Sequence, residues 1–362
     1  MPVTIVVGGQ YGGEGKGKVT AHLCANHGYH GVVRCGGPNS GHTVSVDGEE
    51  IVLRQVPAGV VNPQTQLFLA AGCLINAAVL SEEIDRFGLT PDRLKVDSNA
   101  MIITDDEIEQ EKTGGLEKSI GSTCSGVGAA VARRVSRNNN VSLAKDIAEL
   151  QPFLSVVSTE LNFLHDQGKN LIVEGTQGFG LSLYHTRCYP FATSRDTTAS
   201  AFLSEAGLSP LTVAGIIMVL RTYPIRVGGN SGPLPKETDW ETIRSESRYP
   251  YSIEEHTSVT KRLRRVGRFD LDLAKQAAEV NRPTAVALMG LDYLDYENKS
   301  ATTFSELTGN SRDFVNEIQR VIGARVAFLG TGPKNQEILD LTQSISVEEG
   351  TCVGKIPVAQ YY

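Results

Sequence analysis

Residues 8–18 form a glycine-rich run, GGQYGGEGKGK, whose composition is typical of a loop that holds phosphate. The run follows the strand-like residues Thr4-Ile5-Val6-Val7 and precedes a predicted helix, so backbone N–H groups and a helix amino terminus would surround an anion. The spacing from Gly12 to Gly17-Lys18 nearly matches the P-loop pattern, although Val19 replaces the usual serine or threonine. Two lysines and six glycines among eleven residues exceed what a tight turn needs, so phosphate binding is favoured over that alternative.

A second glycine-rich run, GGPNSGHT at residues 36–43, places one histidine in a loop after another predicted strand. His42 stands between Gly41 and Thr43, where an imidazole can reach a substrate. A lone histidine is more often structural than catalytic, but this setting favours a functional role for His42.

Residues 257–268, TSVTKRLRRVGR, place five cations within eight residues. A solvated basic face or a strip for nucleic acid is one interpretation. The preceding hydroxyl groups and the following glycine favour a loop that binds carboxylate or phosphate, because arginine makes bidentate contacts with such anions. Residues 113–128, also rich in glycine and serine, are predicted to be a phosphate-gripping or closing loop rather than a linker, since Arg133-Arg134 follow soon after.

Seven motifs occur in one order between residues 4 and 333, and together they resemble the adenylosuccinate synthetase family in its short form. They are GGQYGGEGKGK, GGPNSGHT, EGTQG, YPFATSRDTTAS, YPIRVGG, TKRLRRVGRFD and GTGP. The resemblance implies a single P-loop-like α/β domain over residues 1–362, with a mostly parallel mixed sheet flanked by helices. It also implies that a nucleoside triphosphate and Mg²⁺ join aspartate to the 6-position of a purine monophosphate, whose 6-oxygen is first phosphorylated and is then displaced as phosphate.

The resemblance also assigns residues to roles. Catalysis is implied for Lys16, Gln177 and His42, the last as a general acid at the 6-oxygen. Triphosphate binding is implied for Gly12, Gly13, Glu14, Gly15, Lys16, Gly17, Lys18, Gly41, His42, Thr43, Asp292, Gly330, Thr331 and Gly332. Monophosphate binding is implied for Gly13, Asn39, Ser122, Thr123, Arg133, Gln177, Thr193, Thr198 and Gly228. Aspartate binding is implied for Thr257, Ser258, Val259, Thr260, Arg262 and Arg264, and metal binding for Gly41, through its carbonyl, and for Gly13. A homodimer is implied, with Arg133 reaching the 5′-phosphate in the neighbouring site.

One departure from the family pattern concerns the substrate. The family has aspartate where this chain has Gly13, and that aspartate serves as the general base at N1 and as a magnesium ligand. The chain resembles the viral 2-aminoadenylosuccinate synthetases more closely. Those enzymes share the short form, lack this aspartate and act on deoxyguanylate. The expected reaction is therefore the joining of L-aspartate to dGMP, giving N6-succinyl-2-amino-2′-deoxyadenylate. Standard synthesis from inosinate (IMP) with GTP is the alternative, and a nucleotide sensor without ligase activity is a third, although a sensor needs neither His42 nor the arginine loop.

A second departure concerns the triphosphate donor. The family motif Thr-Lys-Leu-Asp grips guanine through its lysine and aspartate, whereas residues 289–292 here read Met-Gly-Leu-Asp. Asp292 remains and Gly290 replaces the lysine, so ATP or dATP is expected to serve as well as GTP.

Alternating short apolar runs and amphipathic segments must position these loops. Strands are predicted at 4–7, 31–34, 67–70, 171–173, 214–220, 284–288 and 325–329, and helices at 17–25, at 77–87 with Asn76 as its cap, and at 270–280. Residues 44–56 read as a hairpin turning at Asp47-Gly48. Strand–loop–helix repetition of this kind indicates an α/β fold with a largely parallel sheet.

Composition narrows the class of protein further. A formal charge of −7 gives no global basic field for nucleic acid or anionic membrane, and no run of 18 or more apolar residues is present. Six cysteines without CxxC spacing, and a start without a basic-then-apolar leader, favour reduced thiols in the cytoplasm, which would be host cytoplasm for a viral protein. Cys24 with His22 and His27 is the one cluster with zinc-ligand types, and a helix followed by a polar turn is the preferred interpretation there.

Overall fold

A ten-stranded mixed sheet forms the centre of the protein, in a computed structural model that describes residues 3–46, 48–137, 140–258 and 261–342. The strands are β1 (Val3–Gly8), β2 (Gly31–Arg34), β3 (His42–Val46), β4 (Glu49–Leu53), β5 (Gln66–Leu69), β6 (Leu74–Ile75), β7 (Leu94–Asp97), β8 (Met101–Ile102), β9 (Leu154–Ser155), β10 (Leu171–Glu174), β11 (Val213–Arg221), β12 (Ile225–Arg226), β13 (Glu237–Thr238), β14 (Arg265–Gly267), β15 (Ala285–Met289), β16 (Arg325–Gly330) and β17 (Ile338–Asp340). The order in the main sheet is β17-β16-β15-β11-β1-β10-β2-β5-β7-β9. Its neighbours are parallel apart from the edge pair β16–β17, which confirms the predicted mostly parallel α/β architecture.

Helices flank this sheet within a single α/β domain. They are α1 (Lys16–Asn26), α2 (Ala77–Phe87), α3 (Asp105–Thr113), α4 (Leu116–Ile120), α5 (Val127–Val135), α6 (Val157–Asp166), α7 (Ala199–Ala206), α8 (Trp240–Ser247), α9 (Leu271–Asn281) and α10 (Gly309–Ile322). Asn76 caps α2 as predicted, because its side chain accepts a hydrogen bond from the backbone N–H of Val79 at 3.1 Å. Asp270 caps α9 in the same way through the N–H of Leu273.

The central strand β1 is buried on both faces, as a parallel strand covered by helices must be. Val3, Ile5 and Val7 belong to the large apolar cluster on one face. Val6, which points the other way, packs in a second cluster with Val19 and other residues of α1. This packing fixes α1 over the sheet directly behind the glycine-rich loop.

The described residues bear out most predicted elements to within one or two positions. The predicted hairpin is the antiparallel pair β3–β4, and its turn residue Asp47 lies outside the described residues. Residues 113–128, predicted as one loop, instead contain α4 and the beginning of α5, because Gly115, Gly121 and Gly126 adopt positive φ angles and divide the segment into short helical pieces. No described helix is both long and apolar enough to cross a membrane.

The carboxyl ends of the central strands all lead into loops at one edge of the sheet. Strand β10 lies between β1 and β2, so the loops after Gly8, Arg34 and Glu174 are neighbours in space. The loops after Arg221, Met289 and Gly330 follow along the same edge. Ligands of open α/β sheets bind at this edge, so the topology itself collects the sequence motifs there.

Candidate active site

A cleft of about 540 Å³ lies at this edge and is lined by all three runs that carry the candidate chemistry. The glycine-rich loop forms its floor, with Gly12, Gly13 and Gly15 at φ angles of +83°, +69° and +102°. The left-handed region is costly for residues with a side chain, so the loop geometry accounts for these glycines.

The carboxylate of Glu14 holds the glycine-rich loop closed. Its Oε1 accepts hydrogen bonds from the backbone N–H groups of Gln10 at 3.1 Å and Gly12 at 2.8 Å, and its Oε2 accepts one from Lys16 Nζ at 2.6 Å. Both side chains of the Glu14–Lys16 pair are buried. Glu14 therefore organises the loop from within and also lines the cleft, and the triphosphate-binding role that the resemblance implies for it stays a prediction.

Lys18 ties helix α1 to the loop that follows β16. Its ammonium group donates to the carbonyl oxygens of Gly332 at 2.5 Å and Glu337 at 2.9 Å. Burial lowers the pKa of Lys18 to about 8, while Asp292 and Glu337 oppose that shift. Of the residues expected after β16, Gly332 lines the cleft and Thr331 is buried.

His42 sits against the glycine-rich loop at its helix end. A Cβ on Gly17 would lie 2.6 Å from the Cβ of His42, so only glycine at position 17 permits this approach. The imidazole Nδ1 hydrogen-bonds the buried carboxylate of Glu174, the last residue of β10. Its Nε2 is buried without a hydrogen-bond partner among the described residues, in a side chain that lines the cleft. A buried orphan of this kind is typical of a site that awaits a ligand.

Burial and the charges around His42 together set the protonation state of its imidazole in the free protein. Burial lowers the pKa of His42 to about 4, and Arg34 and Lys16 add to the shift against the opposing Glu174. Burial alone would raise the pKa of Glu174, but His42 and Arg34 hold it below its ordinary value. The neutral imidazole thus donates Nδ1–H to a carboxylate, and Nε2 presents a lone pair. Anionic phosphates in the cleft would raise the pKa of His42 and favour the form that donates from Nε2.

The surroundings of Gly13 are filled by side chains from other elements. An ideal Cβ at this position would lie 2.7 Å from Ile225 Cδ1 and 2.9 Å from Arg264 Nη1. The Gly13 carbonyl accepts a hydrogen bond from Arg221 Nη1 at 3.2 Å. An aspartate at this position would have to displace the flexible ends of these two side chains.

The arginine loop enters the cleft only in part. Arg264 lines it and pairs with Glu255 at 3.3 Å, while Arg221 pairs with the same carboxylate at 2.6 Å. Burial would raise the pKa of Glu255, but these two guanidinium groups lower it to about 2. Thr257 and Ser258 also line the cleft, and Val259 and Thr260 lie outside the described residues.

Arg262 points elsewhere. It pairs with Glu117 beside a separate depression that Gly228 also lines. In the described part of the chain, Arg262 and Gly228 are not among the residues that line the main cleft. Arg262 and Gly228 belong to loops whose other residues face the cleft. Helix α4 lines the other side of the depression.

The expected donor-base residue Asp292 also lines the cleft. It is buried and accepts a hydrogen bond from the hydroxyl of Tyr249 at 2.7 Å. Burial raises the pKa of the Asp292 carboxyl above its ordinary value. Gly290, at φ +81°, leaves no side chain next to this carboxylate.

The residues expected to bind the monophosphate are divided by the structure. Asn39, Thr123 and Gln177 line the cleft, and Gln177 has a φ of +62°, which is uncommon outside glycine. In the described part of the chain, the remaining members are not among the lining residues: Ser122, Arg133, Thr193, Thr198 and Gly228. Thr198 caps α7, and Arg133 pairs with Glu107 of its own chain.

Four residues that the sequence interpretation did not assign take part in this geometry. Glu174 orients His42, Arg221 holds the Gly13 carbonyl, Ile225 covers Gly13, and Tyr249 holds Asp292. Glu174 could have been identified from the sequence, because it is a charged residue directly after the apolar strand residues 171–173. The other three contacts join segments far apart in the chain, and no local spacing reveals them.

The mostly parallel sheet carries a glycine-rich loop, a buried histidine and an arginine loop at its carboxyl edge. This combination is typical of nucleotide-binding α/β proteins. Comparison of sequences identifies the family: residues 5–142 and 138–299 match the family described as adenylosuccinate synthetase. The chain belongs to the adenylosuccinate synthetase family, and it is a ligase of that type, which joins aspartate to a purine nucleotide.

Individual relatives cover nearly the whole chain. The adenylosuccinate synthetase of Methanocaldococcus jannaschii is 40% identical over 349 residues, which are 95% of this chain and 98% of the relative. That of Thermococcus sibiricus is 39% identical over 350 residues, 95% of this chain and all of the relative.

Two solved structures share the fold. The fully ligated adenylosuccinate synthetase from Plasmodium falciparum has a TM-score of 0.83 at 21% identity, covering 94% of this chain and 100% of its own. The cyanophage S-2L succinoaminodeoxyadenylate synthetase, solved with dGMP and with dATP as an energy donor, has a TM-score of 0.78 at 26% identity, covering 94% and 95%.

Proposed function

We propose that the chain joins L-aspartate to C6 of dGMP, through a 6-phosphoryl intermediate, to give N6-succinyl-2-amino-2′-deoxyadenylate. The observation that carries this proposal is Gly13, which stands where the family has its aspartate and whose surroundings are filled by Ile225 and Arg264. The likeness to the cyanophage enzyme, whose structure holds dGMP and dATP, supports the same substrate class.

The substrate argument rests on the space beside N1 of the purine. Inosinate and guanylate differ by the 2-amino group next to N1. The family aspartate lies against N1 and is tied to magnesium, so it cannot move aside for an added amino group. Glycine removes that magnesium-tied side chain, and the groups that lie there instead are the flexible ends of Ile225 and Arg264, which can move aside for the amino group or for a water molecule that bonds to it.

In the proposed reaction the N1 proton of dGMP passes to water, the 6-oxygen attacks the terminal phosphoryl group of the triphosphate, and the nucleoside diphosphate leaves. The aspartate amine then attacks C6, phosphate leaves with the former 6-oxygen, and the amine loses a proton. The helix α1 terminus and Lys16 favour the negative charge of the phosphoryl group. His42, oriented by Glu174 and protonated beside the bound phosphates, donates a hydrogen bond from Nε2 to the 6-oxygen as negative charge develops there, in the general-acid role.

Membership of the family implies Mg²⁺, so the question is which oxygen atoms of the cleft are free to bind the ion. Gly41 lines the cleft and offers its carbonyl, whereas the Gly13 carbonyl is engaged by Arg221, and both carboxylate oxygens of Glu14 are engaged within the loop. Mg²⁺ commonly takes most of its oxygens from substrate phosphates and water, so the residues fit an ion held by the Gly41 carbonyl. When bound, the ion neutralises phosphate charge during transfer.

The proposal also includes the choice of triphosphate donor and a homodimeric state. Without the family lysine at Gly290, the grip on a guanine 6-oxygen is missing, so ATP and dATP join GTP as donors. A homodimer in which Arg133 reaches the neighbouring 5′-phosphate requires that Arg133 leave its partner Glu107.

Standard synthesis from IMP and GTP is the second candidate. The identity of 40% to an archaeal adenylosuccinate synthetase, over 98% of that relative, favours it.

Aspartate-dependent phosphate release with dGMP or IMP, each with GTP and with dATP, separates the candidates. The proposal expects a higher kcat/KM with dGMP, and a product heavier than dGMP by aspartate less water. A higher kcat/KM with IMP establishes the second candidate. Nucleotide binding without aspartate-dependent release from either substrate indicates a sensor instead.

A further inference from the structure

Outside the cleft, at the opposite end of α1, two imidazoles and one carboxylate converge. The His22 Nε2 lies 3.3 Å from Asp340 Oδ2, and the His27 Nε2 lies 2.5 Å from the same oxygen. One ligand atom from each residue lies within 4.8 Å of the other two. From this geometry we propose that His22, His27 and Asp340 bind one divalent transition-metal ion, Zn²⁺ by preference.

The donor set and spacing suit this ion. Imidazole nitrogen and carboxylate oxygen are zinc ligands, and ligand atoms at about 2.0–2.1 Å from a tetrahedral ion are about 3.3 Å apart. The distance from His22 to Asp340 already has this value. His27 needs to withdraw by less than about 1 Å from Asp340 to admit the ion, and water can take the fourth position.

Surrounding contacts hold the three groups in place. Asp340 Oδ1 accepts hydrogen bonds from the N–H and the hydroxyl of Thr342, which leaves Oδ2 for the histidines. The ring of Phe328 lies edge-on to both imidazoles, at centroid distances of 5.9 and 6.0 Å. Asn26 Nδ2 donates a hydrogen bond to the His22 carbonyl oxygen at 2.9 Å and lies 3.3 Å from His22 Nδ1, so it lies against the His22 ring from one side.

This site differs from the cluster that the sequence offered. Cys24 is buried in the apolar cluster between α1 and the sheet, and burial raises the pKa of its thiol. The third ligand is Asp340, more than 300 residues away in the chain, and it is brought there by the antiparallel edge strand β17.

Metal at this site would tie β17 to the end of α1. The loop before β17 already accepts hydrogen bonds from Lys18 at the beginning of α1, through Gly332 and Glu337. The ion would therefore hold in place a loop that lines the cleft, and it would stabilise the folded protein by mass action.

Calorimetric titration of the metal-stripped full-length chain with ZnCl₂, in excess Mg²⁺ and without nucleotide, tests the proposal. One equivalent of Zn²⁺ is expected to bind and to raise Tm. Asp340→Asn and His27→Gln are each expected to weaken binding at least on the order of 10–100-fold, the effect of losing even an outer-shell partner. His165→Gln is the matched control, because His165 also has a neighbouring carboxylate, Asp166, at 3.3 Å but no third ligand among the described residues.

A second measurement needs no variant. One equivalent of Co²⁺ is expected to give the intense visible absorption of four-coordinate cobalt with nitrogen and oxygen ligands, and Zn²⁺ is expected to abolish it. The proposal is overturned if wild type binds no equivalent of Zn²⁺, if both site variants bind as wild type does, or if Co²⁺ gives no such band. In that case the three residues form hydrogen bonds alone.

Discussion

The Cδ1 atom of Ile225 lies 2.7 Å from the point at which a side chain at Gly13 would begin. Arg264 closes the same space from another side, at 2.9 Å. The loop at Gly13 also has a φ of +69°, which residues with a Cβ rarely adopt. The position is thus adapted to glycine in backbone and surroundings alike, and a reversion to aspartate must displace Ile225 or Arg264.

Exchange of Gly13 tests the substrate assignment. Wild type is expected to prefer dGMP over IMP by kcat/KM, and Gly13→Asp is expected to erode or reverse that preference by about 1–3 kcal/mol, the scale for crowding one group in a fitted pocket. Gly13→Ala is the control, since it adds the Cβ and the backbone strain without a carboxylate. Steady-state rates for both monophosphates on all three proteins decide the question. An unchanged ratio in Gly13→Asp contradicts the assignment.

The sequence predicted the sheet, α1 and the three loops because each depends on local patterns: apolar runs, glycine spacing and caps. That the loops meet follows from the parallel order of the strands in the structure, because the carboxyl ends of parallel strands share one edge of the sheet. The sequence could not predict that Glu174 would orient His42 or that Ile225 would cover Gly13, because strand order and register decide those contacts. The outward position of Arg262 depends in the same way on Glu117, in a segment predicted as a loop.

Removal of the imidazole tests the role of His42. His42→Ala is expected to lower kcat by roughly 10²–10⁴-fold with a smaller change in dGMP binding, because general acid–base groups contribute on that scale. Single-turnover rates and equilibrium binding of dGMP, measured on the same preparation, separate the two effects. Glu174→Gln, which keeps the shape but removes the charge that faces Nδ1, is expected to lower kcat by a smaller factor. A fall in kcat of less than about tenfold in His42→Ala speaks against the role.

The lowered pKa of His42 predicts that the folded protein loses stability at acidic pH. That pKa is about 4 in the folded protein, below the value near 6.5 of the unfolded chain, so the unfolded state binds the extra proton between these values. Stability due to this group is therefore present above pH 6.5 and is lost as the pH falls toward 4. Between pH 7 and 5 the expected loss is about 2 kcal/mol.

Urea unfolding of wild type and His42→Gln at both pH values measures that loss. The variant lacks the titrating imidazole, so its loss between pH 7 and 5 should be smaller by the stated amount. Equal losses in the two proteins would show that His42 does not titrate abnormally.

The donor prediction concerns Gly290 and Asp292. ATP or dATP is expected to support turnover comparable to that with GTP, because Gly290 removes the side-chain grip on the guanine 6-oxygen. Tyr249→Phe, which removes the hydroxyl that donates to Asp292, is expected to raise KM for the triphosphate and leave KM for dGMP nearly unchanged. Rates with the donors at equal concentration test the first statement, and negligible turnover with both adenine nucleotides refutes it.

The buried pair Glu14–Lys16 predicts an unusual response to ligand. Glu14→Gln leaves the Lys16 ammonium without its carboxylate in a site where both side chains are at most 3% exposed. Loss of one partner of a buried pair costs about 3–5 kcal/mol, so the free variant should unfold at a markedly lower urea concentration. A bound triphosphate brings negative charge to the same lysine, so it should restore part of that loss and raise Tm more in the variant than in wild type.

Glu237→Gln is the matched control, because its partner Arg265 and Glu237 itself are 24% and 42% exposed, and an exposed pair contributes at most about 1 kcal/mol. Urea and thermal unfolding, with and without triphosphate, measure both effects. If triphosphate raises Tm equally in Glu14→Gln and wild type, then Lys16 does not meet the phosphates, and the role assigned to the glycine-rich loop must be revised.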